Sequence, residues 1–111
     1  MKIGIVGYGY WGPNLTRNFH AADGCDVVAI CDHDPKRLDQ ARSLYPTVIT
    51  VADIDGLLSH DLDAVAIATP VASHFELAMQ ALKAGKHVLI EKPIAASTRE
   101  AEQMITEAEA R

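Results

Sequence analysis

The stretch from Lys2 to Thr16, KIGIVGYGYWGPNLT, decides the fold. A short apolar run ends at Val6 and is typical of a buried strand, and the glycine pattern GxGxxG follows directly as Gly7-Tyr-Gly-Tyr-Trp-Gly12. Pro13 then stands in the first turn of a helix, where proline is well tolerated. A strand, this glycine turn and a helix in that order predict the start of a βαβ unit that binds a dinucleotide.

Apolar strands and amphipathic helices alternate along the rest of the chain. Strands are predicted at residues 2–6, 27–31, 47–51, 64–68 and 87–90, the last of them buried on both faces. Apolar residues recur at helical spacing after four of the strands. The predicted buried faces are Leu15, Phe19 and Ala22; Leu38, Ala41 and Leu44; Phe75, Ala78, Met79 and Leu82; and Ala101, Met104, Ile105 and Ala108.

Capping residues mark where these helices begin and end. Asp34 and Asp53 are predicted N-caps, Ser73–Glu76 and Ser97–Glu100 are predicted capping boxes, and Gly85 is a predicted C′ residue. Five strands that are each followed by a helix predict an α/β protein with a doubly wound parallel sheet of the Rossmann type, in one dinucleotide-binding domain over residues 1–111. Ligands of such sheets bind beyond the carboxyl ends of the strands.

Composition excludes several classes of partner. The 111 residues carry a formal net charge of −5 and contain no basic block, so we expect no nucleic-acid partner and no membrane partner. The first residues do not form a signal peptide, and no segment is long and apolar enough to span a membrane. Cys25 and Cys31 would lie roughly 20 Å apart along an extended strand, too far for a disulfide. No zinc-ligand spacing occurs, so no metal site is predicted, and reduced thiols favour a cytoplasmic protein.

The glycine loop and Asp32 predict where a dinucleotide binds. Gly7 would permit the tight turn, Gly9 would let a pyrophosphate approach the backbone, and Gly12 would let the helix pack on the strand. Asp32 lies twenty residues beyond Gly12, at the end of the second strand. A carboxylate there binds the adenine ribose hydroxyls and repels a 2′-phosphate, which favours NAD over NADP. The alternative for Asp32 is a helix cap or an exposed turn residue.

Other polar and aromatic residues collect at the same strand ends. His33 and Arg37 lie near enough to Asp32 to affect the choice between NAD and NADP. Tyr10 and Trp11 either cover the pyrophosphate or pack on a neighbouring element. The fourth strand ends in Thr69 and Pro70, and His74 follows in the next helix; they are predicted to form a wall beside the cofactor, or simply a strand end and a solvated histidine. The fifth strand ends in Glu91, Lys92 and Pro93, whose alternative is a surface ion pair beside a turn.

These motifs together resemble the Gfo/Idh/MocA oxidoreductases, named for glucose-fructose oxidoreductase, inositol dehydrogenase and rhizopine catabolism. The resemblance covers IGIVGYGYWGPNL, VAICD and ATPVASHFELAMQALKAGKHVLIEKPIA, which is nearly the whole chain. It implies that Lys92 is catalytic and lies near the nicotinamide and the reacting carbinol, that Glu91 lines the nicotinamide side, and that Pro93 fixes the turn. The YWGPNL variant is most similar to the branch that oxidises sugar nucleotides with NAD.

Members of that family are much longer than this chain. They add a sixth strand and a second α/β domain that supplies most of the substrate pocket, the acid/base pair and the oligomer interface. None of the five histidines here lies in a segment that matches the family's catalytic histidine. The resemblance therefore predicts an N-terminal fragment of a homo-oligomeric enzyme that binds NAD without turnover. The alternatives are a non-catalytic module that senses NAD(H), or a related Rossmann domain that binds coenzyme A.

Overall fold

The structure, a computed structural model, describes residues 1–90 and 95–110. Its strands are β1 Lys2–Val6, β2 Asp26–Cys31, β3 Ile49–Val51, β4 Ala64–Ile67 and β5 His87–Ile90. Its helices are α1 Gly12–Ala21, α2 Pro35–Leu44, α3 Ile54–Leu58, α4 His74–Lys83 and α5 Thr98–Ala110, with a 3-10 turn at Val71–Ser73.

The five strands form one parallel sheet in the order β3-β2-β1-β4-β5. The strand order reverses at β1. From β1 the chain builds β2 and β3 on one side, and it then returns to build β4 and β5 on the other side. Val6 pairs with Cys31 on β2 and with Ile67 on β4, so the carboxyl ends of the three central strands are level. The predicted doubly wound sheet is confirmed, and its reversal point lies at these ends.

Helices cover both faces of the sheet and enclose two cores. On one face, Ile3 and Ile5 pack with Leu38 and Ala41 of α2. On the other, Val6 packs with Leu57 of α3 and with residues of α4 and α5. This alternation along β1 follows from the two-residue period of a strand, and both sets of side chains are buried.

Most residues of the predicted helix faces are at least partly buried, but three of the four faces contain residues that are exposed. Leu44 is 66% exposed because it is the last residue of α2, where the chain leaves the sheet. Ala22 lies beyond the end of α1 and is exposed. On α5, Met104 is buried but Ile105 is 57% exposed, and Ala108 is exposed as well.

Four of the five capping predictions are confirmed. Asp34 and Asp53 cap α2 and α3 by accepting the N–H groups of Lys36 and Gly56. Ser97 accepts the N–H of Glu100 at 3.2 Å, while Glu100 accepts the N–H of Ala96, so this capping box is confirmed with its return bond shifted by one residue. Gly85, at φ 79°, follows α4 as predicted, and the Gly85 and Lys86 N–H groups bond the Leu82 and Ala81 carbonyls.

The predicted capping box at Ser73 is wrong. Ser73 has helical backbone angles at the end of the 3-10 turn, and within the described residues it accepts no capping bond. A capping residue needs extended angles to aim its oxygen at the next turn. The Ser73 hydroxyl instead lies 2.6 Å from Thr69 Oγ1 and 2.8 Å from the Pro70 carbonyl, which it can reach only because the 3-10 turn folds it back.

The prediction that β5 is buried on both faces is also wrong. The strand pairs only with β4 in the described part of the chain and is therefore an edge of the sheet. His87 is exposed, and Leu89 is 49% exposed. A run of apolar residues does not reveal whether a strand is central or peripheral, because that depends on which strands pair with it.

Candidate functional site

A cleft of about 750 Å³ opens beyond the carboxyl ends of the strands, at the reversal point between β1 and β4. It lies where the sequence predicts the ligand. The predicted site residues that line it are Gly7, Gly9, Tyr10, Trp11, Asp32, His33, Arg37, Thr69 and Pro70.

The three glycines of the loop differ in what a side chain at each position would meet. Gly7 has a φ of 95°, and a Cβ there would lie 2.9 Å from the carbonyl carbon and oxygen of Ala68. A Cβ on Gly12 would lie 1.9 Å from the Gly7 carbonyl oxygen, so the first residue of α1 lies directly against the residue that follows β1. A Cβ on Gly9 would meet only the guanidinium of Arg37, at 3.2 Å. Gly7 and Gly12 thus shape the loop, whereas a side chain at Gly9 would meet only the end of a flexible side chain at the cleft.

Helix α1 begins at Gly12, directly after the cleft-lining Trp11, so its amino end adjoins the cleft. Trp11 is the N-cap residue, and among the described residues it provides no side-chain cap. The first turn of α1 contains no acidic residue that would compete with an anion. Free N–H groups and the positive end of a helix are the usual elements of a phosphate site, and here they adjoin the glycine loop.

Asp32 is the buried carboxylate of the site, with only 7% of its surface exposed. Its Oδ2 accepts the Tyr8 N–H at 2.8 Å, and its Oδ1 accepts the Asp34 N–H at 2.8 Å. The side chain therefore joins the glycine loop to the end of β2, and the alternative of an exposed turn residue is wrong. Each oxygen retains acceptor capacity for a further donor, such as a ribose hydroxyl.

Arg37 brings a positive charge to the same carboxylate. Its Nη1 lies 3.7 Å from Asp32 Oδ2, and its Nε lies 3.8 Å from Asp34 Oδ2. Its side chain is half exposed. His33 is exposed at the rim of the cleft.

Tyr10 and Trp11 form an exposed aromatic pair on the loop. Their ring centroids are 5.1 Å apart with the planes at 87°, an edge-to-face contact. Tyr10 is 82% exposed and Trp11 is 51% exposed. In the described part of the chain, the alternative that they pack on a neighbouring element is therefore wrong, and both rings face the cleft and solvent.

His74 is, with Gly12, one of two predicted site residues among the described ones that do not line the cleft. It is 1% exposed, and its Nε2 lies 2.7 Å from the Thr69 carbonyl oxygen. It therefore holds the Thr69–Pro70 turn from beneath, and the alternative of a solvated histidine is wrong. Thr69 and Pro70 themselves line the cleft.

Cys31 lies at the floor of the cleft as a free thiol, and Cys25 is free as well, as predicted. Burial raises the pKa of the Cys31 thiol to about 12, and the negative charges of Asp53 and Asp32 add to the effect. The thiol is therefore protonated at neutral pH, and its side chain belongs to one of the two buried cores.

The sequence analysis missed several residues that line the cleft. Asp53 closes it beyond β3, and Glu76, Leu77 and Gln80 close it from α4. Asp53 lies two residues after the end of β3, so the rule that ligands bind near strand ends could have found it. The α4 residues lie far from any strand end and carried no signal. Predicted site residues Glu91, Lys92 and Pro93 lie outside the described residues.

A parallel sheet with its cleft at the reversal point, a glycine turn and a buried carboxylate after β2 define a dinucleotide-binding Rossmann domain. The model of the oxidoreductase family with an NAD-binding Rossmann fold, Gfo/Idh/MocA, matches residues 1–111. The chain therefore belongs to that family, and the predictions of the family and of NAD as its cofactor are confirmed.

Relatives and solved structures agree with this assignment. A glycosyl hydrolase family 109 protein of Shewanella amazonensis is 30% identical over 98% of this chain and 26% of its own length. The WlbA dehydrogenase of Bordetella pertussis, solved with NADH and UDP-GlcNAcA, has a TM-score of 0.91 at 27% identity over 98% of this chain and 34% of that one. The structure of myo-inositol 2-dehydrogenase of Lactobacillus plantarum has a TM-score of 0.91 at 25% identity, and the match covers 99% of this chain and 33% of that one.

This chain thus spans about a quarter to a third of the length of these proteins. Among the residues that the structure describes, no helix is both long enough and apolar enough to cross a membrane.

Proposed function

We propose that this chain is the NAD-binding domain of a dehydrogenase that transfers hydride between a carbinol of a sugar, sugar nucleotide or cyclitol and nicotinamide. The observation that carries the proposal is the buried Asp32 carboxylate, which lines the cleft and is bonded to the glycine loop. The substrate class is supported by the sugar-nucleotide and inositol dehydrogenases among the similar structures.

The residues of the cleft fit the parts of NAD in order. The glycine loop at Gly9 and the free N–H groups of α1 would hold the pyrophosphate, with Tyr10 and Trp11 over it. Asp32 would accept the adenine ribose hydroxyls, and His33 would lie beside the adenine at the rim. Thr69 and Pro70, on the β4 side of the reversal point, would adjoin the nicotinamide half.

The chemistry would take place beyond the β4 side of the cleft. When bound, NAD supplies the acceptor for a hydride from the substrate carbon. The substrate hydroxyl must lose its proton in the same reaction, and an ammonium group near the developing alkoxide would stabilise its charge. We assign that role to Lys92, with Glu91 and Pro93 shaping the nicotinamide side, on the resemblance of their EKP motif.

We further propose that residues 1–111 act as the N-terminal domain of a longer cytoplasmic enzyme. The matched proteins are three to four times as long, judged from the 26–34% of their lengths that this chain covers. In this proposal a second domain supplies the acid/base pair, the sugar site and a homo-oligomer interface. The 111-residue chain alone then binds NAD without turnover.

Calorimetric titration with NADH tests the cofactor site. The wild-type protein should bind NADH saturably, and Asp32→Ala should weaken binding by about 1–3 kcal/mol, the scale of charge-assisted hydrogen bonds. Asp39→Ala is the matched control, because Asp39 is an exposed carboxylate on α2 outside the cleft.

Equal NADH affinity in wild-type protein and Asp32→Ala would refute the ribose assignment. Binding of coenzyme A in place of NADH would favour the coenzyme A alternative. Tight NADH binding without any dehydrogenase activity in the complete protein would favour an NAD(H)-sensing module.

A further inference from the structure

We propose that Gln80 recognises the purine base of the dinucleotide, so that the cleft binds a 6-aminopurine in preference to a 6-oxopurine. The inference rests on the proposed dinucleotide site, and it deepens it by naming a specificity-determining residue. That residue lies on α4, away from the glycine loop and from the carboxylate that follows β2.

Gln80 has a buried acceptor without a donor. Its side-chain oxygen Oε1 is shielded from solvent, and among the described residues it accepts no hydrogen bond. A buried amide oxygen that is left unpaired costs free energy, so nearly all such atoms in proteins have a partner. The Tyr8 hydroxyl and Thr16 Oγ1 are unpaired in the same way, but neither residue lines the cleft. Gln80 does line it, so a bound ligand can supply the donor that the protein lacks.

The part of the cleft beside Gln80 suits a flat apolar ring. It lies between α3 and α4, which pack on the same face of the sheet. Its apolar lining residues are Val6, Cys31, Ile54 and Leu77. The charged residues there, Asp53 and Glu76, are exposed. Apolar walls with one buried polar group are typical of a site that binds a planar ring and fixes its orientation.

The purine of a bound dinucleotide would reach this part of the cleft. Asp32, to which the adenine ribose is assigned, directly follows Cys31 of β2. The Asp32 N–H donates to the Val51 carbonyl oxygen at 3.2 Å, so the segment that leads from β3 into α3 begins beside it. A base joined to a ribose at Asp32 therefore lies next to the space between α3 and α4.

Adenine carries the donor that Gln80 lacks. Its 6-amino group has two N–H donors, and an amide oxygen accepts them. Hypoxanthine has a carbonyl oxygen at the same position, which would bring a second acceptor against Oε1. Because Oε1 is buried, water does not readily take the place of the missing donor. We therefore expect a 6-oxopurine to bind more weakly, and Gln80 to set the difference.

Calorimetry tests this by comparing NADH with reduced nicotinamide hypoxanthine dinucleotide, which differs from NADH in carrying a 6-oxopurine. AMP and IMP serve as a second pair of probes with the same difference. The proteins are wild type, Gln80→Met, in which methionine keeps the length of the side chain and removes its amide, and Thr16→Val. Thr16→Val is the matched control, because it removes a hydroxyl that is buried and unpaired like Oε1 but lies outside the cleft.

Wild type should bind NADH about tenfold or more tightly than the hypoxanthine dinucleotide, the scale of a buried acceptor that gains or loses its donor. Gln80→Met should weaken NADH and reduce the preference to about threefold or less, because its side chain offers no acceptor for the amino group. Thr16→Val should keep the wild-type preference. Equal affinity of the wild type for both dinucleotides, or an unchanged preference in Gln80→Met, would overturn the inference.

Urea unfolding of the free proteins gives a second readout. Gln80→Met removes an unpaired buried oxygen and should leave the unfolding midpoint unchanged or raise it. A lower midpoint would assign Gln80 to the fold and would also overturn the inference. Absence of NADH binding by the wild type would instead refute the proposed function, and this inference with it.

Discussion

At the scale of single residues, the loop glycines differ in whether the fold could accept a side chain in their place. A Cβ added to Gly12 would clash with backbone that cannot move aside, whereas a Cβ added to Gly9 would meet only the flexible end of the Arg37 side chain. The GxGxxG pattern is therefore not uniform in its physical demands. Gly12 is the one whose side chain would clash with the backbone, and Gly9 is the one that we expect to let the ligand approach.

We predict that Gly12→Ala destabilises the protein by about 3 kcal/mol or more, because its Cβ would overlap the Gly7 carbonyl oxygen at 1.9 Å. Gly9→Ala should retain most of the stability and lose NADH affinity. Urea unfolding and calorimetry measure the two effects. Comparable stability losses in the two variants would contradict this division of roles.

At the scale of secondary structure elements, helix α5 packs asymmetrically. Met104 is 4% exposed within the core beside α4, and its sequence neighbour Ile105 is 57% exposed. Ile105 lines an apolar groove of about 490 Å³ formed with α4 and the edge strand β5. The apolar stripe of the helix is thus wider than the surface against which it packs.

We expect Met104→Ala to lower the free energy of unfolding by about 2–5 kcal/mol, the usual cost of deleting a buried methionine side chain. Ile105→Ala is the matched control on the same helix and should change stability by no more than about 0.5 kcal/mol. Denaturant unfolding gives both values. A large loss for Ile105→Ala would show that its side chain is covered in solution.

At the scale of the whole molecule, the cleft is shared by the two halves of the sheet. The β1–β2 side supplies the glycine loop and Asp32, and the β4 side supplies Thr69 and Pro70. A ligand in the cleft would contact both halves. The matched proteins extend well beyond the region that this chain covers, so cofactor binding and turnover can be tested separately.

In the complete enzyme, we predict that Lys92→Ala leaves NADH affinity almost unchanged and lowers kcat strongly. The physical reason is that the ammonium group would act on the developing alkoxide and not on the dinucleotide. Calorimetry and steady-state kinetics on the same preparations measure the two quantities. Wild-type kcat in this variant would refute the role assigned to the EKP lysine.

The sequence by itself determined the strand and helix order, the glycine loop, the carboxylate that follows the second strand, and the family. Each of these depends on residues that lie close together in the sequence. The signals are an apolar period of two or 3.6 residues, a capping residue beside a helix, and a glycine pattern between a strand and a helix. Even the place of the cleft follows, since parallel strands that alternate with helices bring their carboxyl ends to one side of the sheet.

Only the tertiary structure decided which side chains meet there. It placed β5 at an edge, turned Ser73 away from its predicted cap, and buried His74 beneath Thr69. It also bonded Asp32 to the Tyr8 N–H, across 24 residues, and set Arg37 against that carboxylate. Such contacts depend on strand order and on how elements pack, and no local pattern in the chain specifies either.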